Sequence, residues 1–183
     1  MKVTATEIAD VLVIEPRVFG DARGFFLESF NQRAFNDAMG ADVRFVQDNH
    51  SRSARGVLRG LHFQRPPHGQ GKLVCVTQGS VFDVAVDIRK DSPTFGRWVG
   101  AELSGENHKQ MWIPAGLAHG FLVTSESADF FYKTTGYYAP QAEACIRWDD
   151  PTLAIAWPDT GRRPVVSGKD AAGLSFTQSI APN

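Results

Sequence analysis

The chain has 183 residues, 43% of them hydrophobic and 21% charged, with a net charge of −1. That length and composition describe one globular domain with a sizeable core, and a near-neutral chain has no global field to attract nucleic acid. The apolar run Val11 to Ile14 is too short for a signal-peptide core or a membrane span, so a cytoplasmic domain without membrane contact is expected. Two cysteines, Cys75 and Cys145, are too few for a disulfide framework and make no Cys-x-x-Cys pair, so both are expected to be small buried apolar side chains.

In chain order, the first predicted element is a helix over Asn31 to Met39, with Ser29 as its cap and Gly40 as its stop. Leu58 to Phe63 fits a strand, in which Gly60 and His62 share one face while Leu61 and Phe63 share the other. Lys72 to Thr77 and Ser80 to Ile88 are predicted strands, joined by a tight turn at Gln78-Gly79-Ser80. In the second, Phe82, Val84, Val86 and Ile88 alternate with Asp83, Ala85 and Asp87, the period of a strand with one buried face. Arg97 to Leu103, Gln110 to Ile113, Gly120 to Val123 and Asp129 to Thr135 read alike, with Gly and Pro between them. A short helical piece is predicted over Pro151 to Ala156. No repeat, low-complexity tract or linker divides the chain, so a single domain over 1–183 is expected, less regular from about residue 160. Evenly spaced strands with few helices point to a mostly-β antiparallel sandwich, barrel or jelly roll, whose mouth can hold a polar pocket.

His62 is the first candidate for chemistry. Two readings are open: a hydrogen-bonded histidine at the edge of a core, or a base on the polar side of a strand. Pro114-Ala115-Gly116-Leu117-Ala118-His119-Gly120 matches the Pro-x-Gly-x-x-His pattern of the second cupin motif, whose His is a ligand in metal-binding cupins. The first motif supplies His-x-His, but His62-Phe63-Gln64 places Gln64 at the second position. Two histidines without a nearby carboxylate leave a metal under-coordinated, so no bound catalytic metal is expected. Arg23, Arg59, Lys72 and Lys169 are surface cations or anion contacts; arginine forks suit phosphate oxygens, and a lysine is a compact charge for an oxyanion. The aromatic run Phe130-Phe131-Tyr132, then Tyr137-Tyr138, is either packing or a source of proton donors and stacking rings.

Several segments together carry a resemblance. Arg17 to Phe26, Gln47 to Ser51, Val57 to Gln64, Gly79 to Ile88, Ile113 to Val123 and Tyr137-Tyr138 resemble the dTDP-4-dehydrorhamnose 3,5-epimerase family, from about Thr6 to Asp170. The resemblance implies a cupin-type jelly-roll barrel with a few short helices, a homodimer with sites shared across the interface, and no cofactor. The implied substrate is a dTDP-4-keto-6-deoxy sugar nucleotide, dTDP-4-dehydro-6-deoxy-D-glucose, inverted at C3 and C5 beside its C4 ketone. It also implies roles. His62 is the base, Asp170 its charge partner, Lys72 the cation for the enolate oxygen, and Tyr132 the acid on the other sugar face. Arg59 is a diphosphate contact. Phe19, Arg23 and Glu28 are nucleotide contacts reaching across from a partner chain. Gln47, Asn49, His119, Glu143 and Lys169 are further binding positions, and Tyr138 stacks on thymine. Without the resemblance, Asp170 reads as a surface carboxylate near the tail. A single-carbon epimerase and a non-catalytic sugar-binding cupin are the other readings.

Overall fold

The computed structural model describes residues 1–180. The chain begins with β1 (Lys2–Ala5) and β2 (Leu12–Glu15), then the hairpin of β3 (Val18–Asp21) and β4 (Gly24–Leu27), then helix α1 (Gln32–Met39). Nine strands follow: β5 (Gln47–Ala54), β6 (Leu58–Gln64), β7 (Lys72–Gln78), β8 (Ser80–Asp87), β9 (Trp98–Ser104), β10 (Gln110–Ile113), β11 (Leu117–Val123), β12 (Ser127–Thr134) and β13 (Glu143–Cys145). Two single-turn helices, α2 (Gly168–Ala171) and α3 (Phe176–Ser179), lie near the C-terminus. One sheet runs β1-β2-β10-β7-β12-β5 and the other β13-β6-β11-β8-β9. Neighbouring strands pair antiparallel throughout both sheets. The expected mostly-β jelly roll is what the chain forms.

Alternation along the strands makes three apolar layers. Val74, Val76, Met111 and Phe130 of one sheet meet Val81, Ala85, Leu103 and Phe121 of the other in the barrel interior. The Phe121 and Phe130 rings stack there with centroids 4.0 Å apart. The outer face of the five-stranded sheet presents Leu61, Phe63, Val84 and Val86, which Ile146, Leu153 and Phe176 cover. On the outer face of the six-stranded sheet, Leu73 and Trp112 pack against Phe35 of α1. The stretch from residue 160 is irregular in backbone yet packed, tied by parallel bridges at Val57–Val165 and Ile146–Leu174.

Four expectations need correction. The α1 cap is Asn31, whose side chain accepts the Ala34 N–H; the Ser29 carbonyl instead accepts from Gln110 Nε2. Gly40 is the stop, at φ 63. Pro151 to Ala156 forms no helix, because one Asp150 carboxylate oxygen accepts the Thr152 and Leu153 amides while the other accepts that of Phe176. Such side-chain bonds offer the backbone an alternative to helix. β8 is buried on both faces: Asp83 and Asp87 are each 0% exposed, because the polar face looks into the barrel. Cys75 and Cys145 are free and half-buried rather than fully buried. Among the described residues, no helix is long and apolar enough to cross a membrane.

Phe130 is the largest fully buried side chain of the interior layer. Phe130→Ala is expected to cost about 3–5 kcal/mol of stability through lost burial and the cavity left behind, read from the denaturant midpoint. A loss near zero would show that the barrel interior is not the main core.

Candidate active site

The same alternation that builds the apolar interior brings polar residues to one end of it. Gln47 and Asn49 on β5, Lys72 on β7, Tyr132 and Thr134 on β12, and Glu143 on β13 line one cavity with His62 and Gln64 of β6. Phe63, Gln70 and Tyr138 complete its wall, and its volume is about 280 Å³. On β6, Leu61 and Phe63 face the outer layer as expected, leaving His62 on the cavity side.

Arg59 lies three residues before His62, so strict alternation would send it outward. The pairing of β11 with β6 runs His119–His62, then Phe121–Arg59, setting two residues against three. The extra residue reverses the parity, and Arg59 Nε donates to Ser53 Oγ of β5 at 3.1 Å. Gly60 sits at this irregularity with φ +126, where an added Cβ would lie 2.6 Å from Gly120 Cα. Only glycine tolerates both demands.

His62 Nε2 lies 2.6 Å from Asp170 Oδ1, and Nδ1 makes no hydrogen bond among the described residues. Asp170 is buried at 3% exposure, which removes the surface-carboxylate reading. Ser167 Oγ accepts its backbone N–H and starts α2, fixing the carboxylate in place. Burial works to raise the Asp170 carboxyl, but the bonds and charge of His62 and the Gly60 and Ser167 contacts hold it below its ordinary value.

Lys72 is half-buried, and burial pushes its ammonium down to about 8 against the pull of Asp83 and Glu143. Burial raises Tyr132, so the phenol keeps its proton. Burial also acts on Glu143, yet Lys169 Nζ and the Tyr138 hydroxyl, at 2.6 Å, hold that carboxyl low. Gln47 and Asn49 are joined by a 2.9 Å bond. Gln64 spends its amide on the His68 carbonyl and the Ala139 N–H, both at 2.7 Å, so it is a wall strut.

His119 is buried behind the cavity wall, its Nε2 2.9 Å from Asp83 Oδ2. Burial drives both groups toward their neutral forms, Asp83 upward and His119 downward. Asp83 Oδ1 has no hydrogen-bond partner among the described residues. Sequence reading missed Asp83 as part of this set; an acid flanked by Phe82 and Val84 in a predicted strand was the available signal. It also missed Thr134, which follows Tyr132 by two residues and so shares its face.

Phe19, Arg23 and Glu28 do not enter this cavity. Phe19 and Arg23 lie on the β3–β4 hairpin, where Arg23 pairs with Asp21 on the surface. Phe19 and Glu28 border a separate cavity of about 330 Å³ beside α1. The expectation about metals counted two histidines and no carboxylate. The fold sets the Asp83 carboxylate beside His119 and, among the described residues, gathers a three-ligand group at His62, where a His62 nitrogen, Cys145 Sγ and an Asp170 oxygen lie within 4.8 Å of one another.

The sequence matches the dTDP-4-dehydrorhamnose 3,5-epimerase family over residues 5–178. It is 62% identical over 179 residues to the dTDP-4-dehydrorhamnose 3,5-epimerase of Pseudomonas aeruginosa, covering 98% of both chains. The dTDP-6-deoxy-D-glucose-3,5-epimerase of Legionella pneumophila in complex with dTDP-4-keto-L-rhamnose superposes with a TM-score of 0.94 at 52% identity, over 100% of this chain and 97% of that one. A 3′-monoepimerase of Streptomyces bikiniensis in complex with dTDP-quinovose gives a TM-score of 0.89 at 35% identity, over 94% and 87%.

Lys72 is a cation below about pH 8 and neutral above it. Glu143→Gln removes one of the negative charges that favour the ammonium. The Lys72 titration midpoint, followed by NMR on labelled lysine, is expected to move lower; an unchanged or higher midpoint would refute this electrostatic picture.

Proposed function

The chain belongs to the dTDP-4-dehydrorhamnose 3,5-epimerase family, and on that premise we propose that this enzyme inverts C3 and C5 of dTDP-4-dehydro-6-deoxy-D-glucose to give dTDP-4-dehydro-L-rhamnose. The observation that carries the mechanism is the 2.6 Å His62–Asp170 contact beside the cavity. A buried carboxylate at Nε2 keeps the proton on that nitrogen. The Nδ1 lone pair is then free to act as base, and the carboxylate stabilises the imidazolium that forms.

Protons on C3 and C5 are acidic because both carbons flank the C4 ketone. His62 takes the proton, and charge moves onto the ketone oxygen as an enolate. Lys72, half-buried and cationic below about pH 8, supplies opposite charge where that oxyanion develops. Tyr132, kept protonated by burial, returns a proton from the other face, and inversion results. Arg59 is the diphosphate contact, and Tyr138 the ring for thymine. Gln47, Asn49, His119, Glu143 and Lys169 hold or shape the sugar end. The higher identity to double epimerases than to the monoepimerase supports action at both carbons.

A homodimer fits the exposed hairpin. Phe19, Phe25 and Phe26 are exposed there, beside Arg23 and outside this chain's own cavity. Phe19, Arg23 and Glu28 reach the nucleotide of the partner's site in this reading. The two free thiols suit a reducing, cytoplasmic compartment.

The experiment is turnover of the 4-keto sugar nucleotide in deuterated water. NMR is expected to show deuterium at both C3 and C5, and His62→Ala to lower turnover by ~10²–10⁴ with dTDP binding retained. Label at one carbon would make this a single-carbon enzyme, and near-normal turnover without His62 would sink the mechanism. Mixing the inactive Arg23→Ala and His62→Ala proteins is expected to restore partial activity through hybrid dimers. No recovery after demonstrated subunit exchange would count against the shared site.

A further inference from the structure

Cys145 stands beside His62 and Asp170, outside the cavity lining, with no task in the epimerisation. It pairs directly across from His62 where β13 meets β6, which puts both side chains on one face. Its Sγ is 3.9 Å from Asp170 Oδ1, the oxygen bonded to His62 Nε2. An imidazole nitrogen, a thiol sulfur and a carboxylate oxygen thus converge within 4.8 Å. His62 and Cys145 are half-buried, and His62 borders the cavity, so solvent reaches the cluster.

We propose that His62, Cys145 and Asp170 form a binding site for a thiophilic divalent cation of the zinc type, and that its occupancy inhibits the enzyme. The three donor types are those that zinc takes, and metal bonds of about 2.0–2.3 Å set tetrahedral ligand atoms on the order of 3–4 Å apart. The Sγ–Oδ1 separation already falls in that range, and the closer His62–Asp170 pair needs only to part slightly. Burial and the neighbouring Asp170 charge push the Cys145 thiol up to about 12, and a cation placed between them relieves both. In the binding step the sulfur–metal bond forms as the S–H bond breaks, and the proton leaves to solvent. The metal takes the Nε2 lone pair, so the single proton of the neutral ring moves to Nδ1. Nδ1 then carries a hydrogen where the reaction needs a lone pair. This inhibition rests on the reading of His62 as base; the binding does not.

The test uses Cd²⁺ as an optical probe and Zn²⁺ as inhibitor. Wild-type protein is expected to bind one Cd²⁺ per chain with an ultraviolet thiolate-to-metal band, and to lose turnover in Zn²⁺ reversibly with a chelator. Cys145→Ala, and Cys145→Ser as a second variant, should keep turnover, lose the band, and need at least about 10-fold more Zn²⁺ for half inhibition, since losing a ligand costs no less than losing its outer support. Cys75→Ala should behave as wild type. A band that persists without Cys145, or unchanged Zn²⁺ sensitivity in both Cys145 variants, would overturn the site. A Cys145-dependent band with turnover undisturbed would overturn the inhibition, while the His62→Ala measurement judges the base separately.

Discussion

The contact between His62 and Asp170 joins residues 108 apart in the chain. It can form only when the C-terminal segment lies over the outer face of the five-stranded sheet. Phe176, Leu153 and Ile146 drive that docking by covering Leu61, Phe63, Val84 and Val86. Apolar burial on the outside of the barrel therefore sets a charge on its inside. A carboxylate at 3% exposure without a partner would be costly, and the imidazole repays that cost while being held in one tautomer.

The rest of the site obeys the same balance. Lys72, Asp83, His119, Glu143 and Lys169 all feel burial, and each is offset by a neighbour of opposite sign. The groups left with acid–base freedom are those facing the cavity. Burial pushes Lys72 down to about 8, and among the described residues its compensating acids, Asp83 and Glu143, are near but do not hydrogen-bond to it. In the proposed reaction that leaves the ammonium unspent for the developing oxyanion. Gln64 and Asp83 make the contrasting choice, one spent on backbone groups and one on His119.

Much of this was legible in the residues. Strands β7, β8, β10 and β12 lie within two residues of where the apolar runs and turn signals put them. The polar run Gln47 to Ala54 carries no apolar period, which hid β5; β1 to β4 and β13, of three or four residues each, were not identified either. The period of β8 misled in a different way. Asp83 and Asp87 alternate as a solvent face would, and a polar barrel interior has the same period. Helix α1 was legible from its start and stop signals, with Gly40 as the stop. Its cap was misplaced because Ser29 and Asn31 are both capable caps, and only the path of the chain selects between them.

By itself the sequence determined a mostly-β barrel, the family, and the polar-side position of His62 on its strand, because side-chain direction along a strand is a local property with a period of two; Lys72 and Tyr132 were singled out only by the resemblance. Tertiary structure alone decided three things. It brought Asp170 to Nε2, it turned Arg59 toward Ser53 of β5 through one extra residue at Gly60, and it set Cys145 opposite His62. Register, irregularity and the docking of a distant segment are long-range pairings, whose free energy comes from surfaces that meet only in the folded chain.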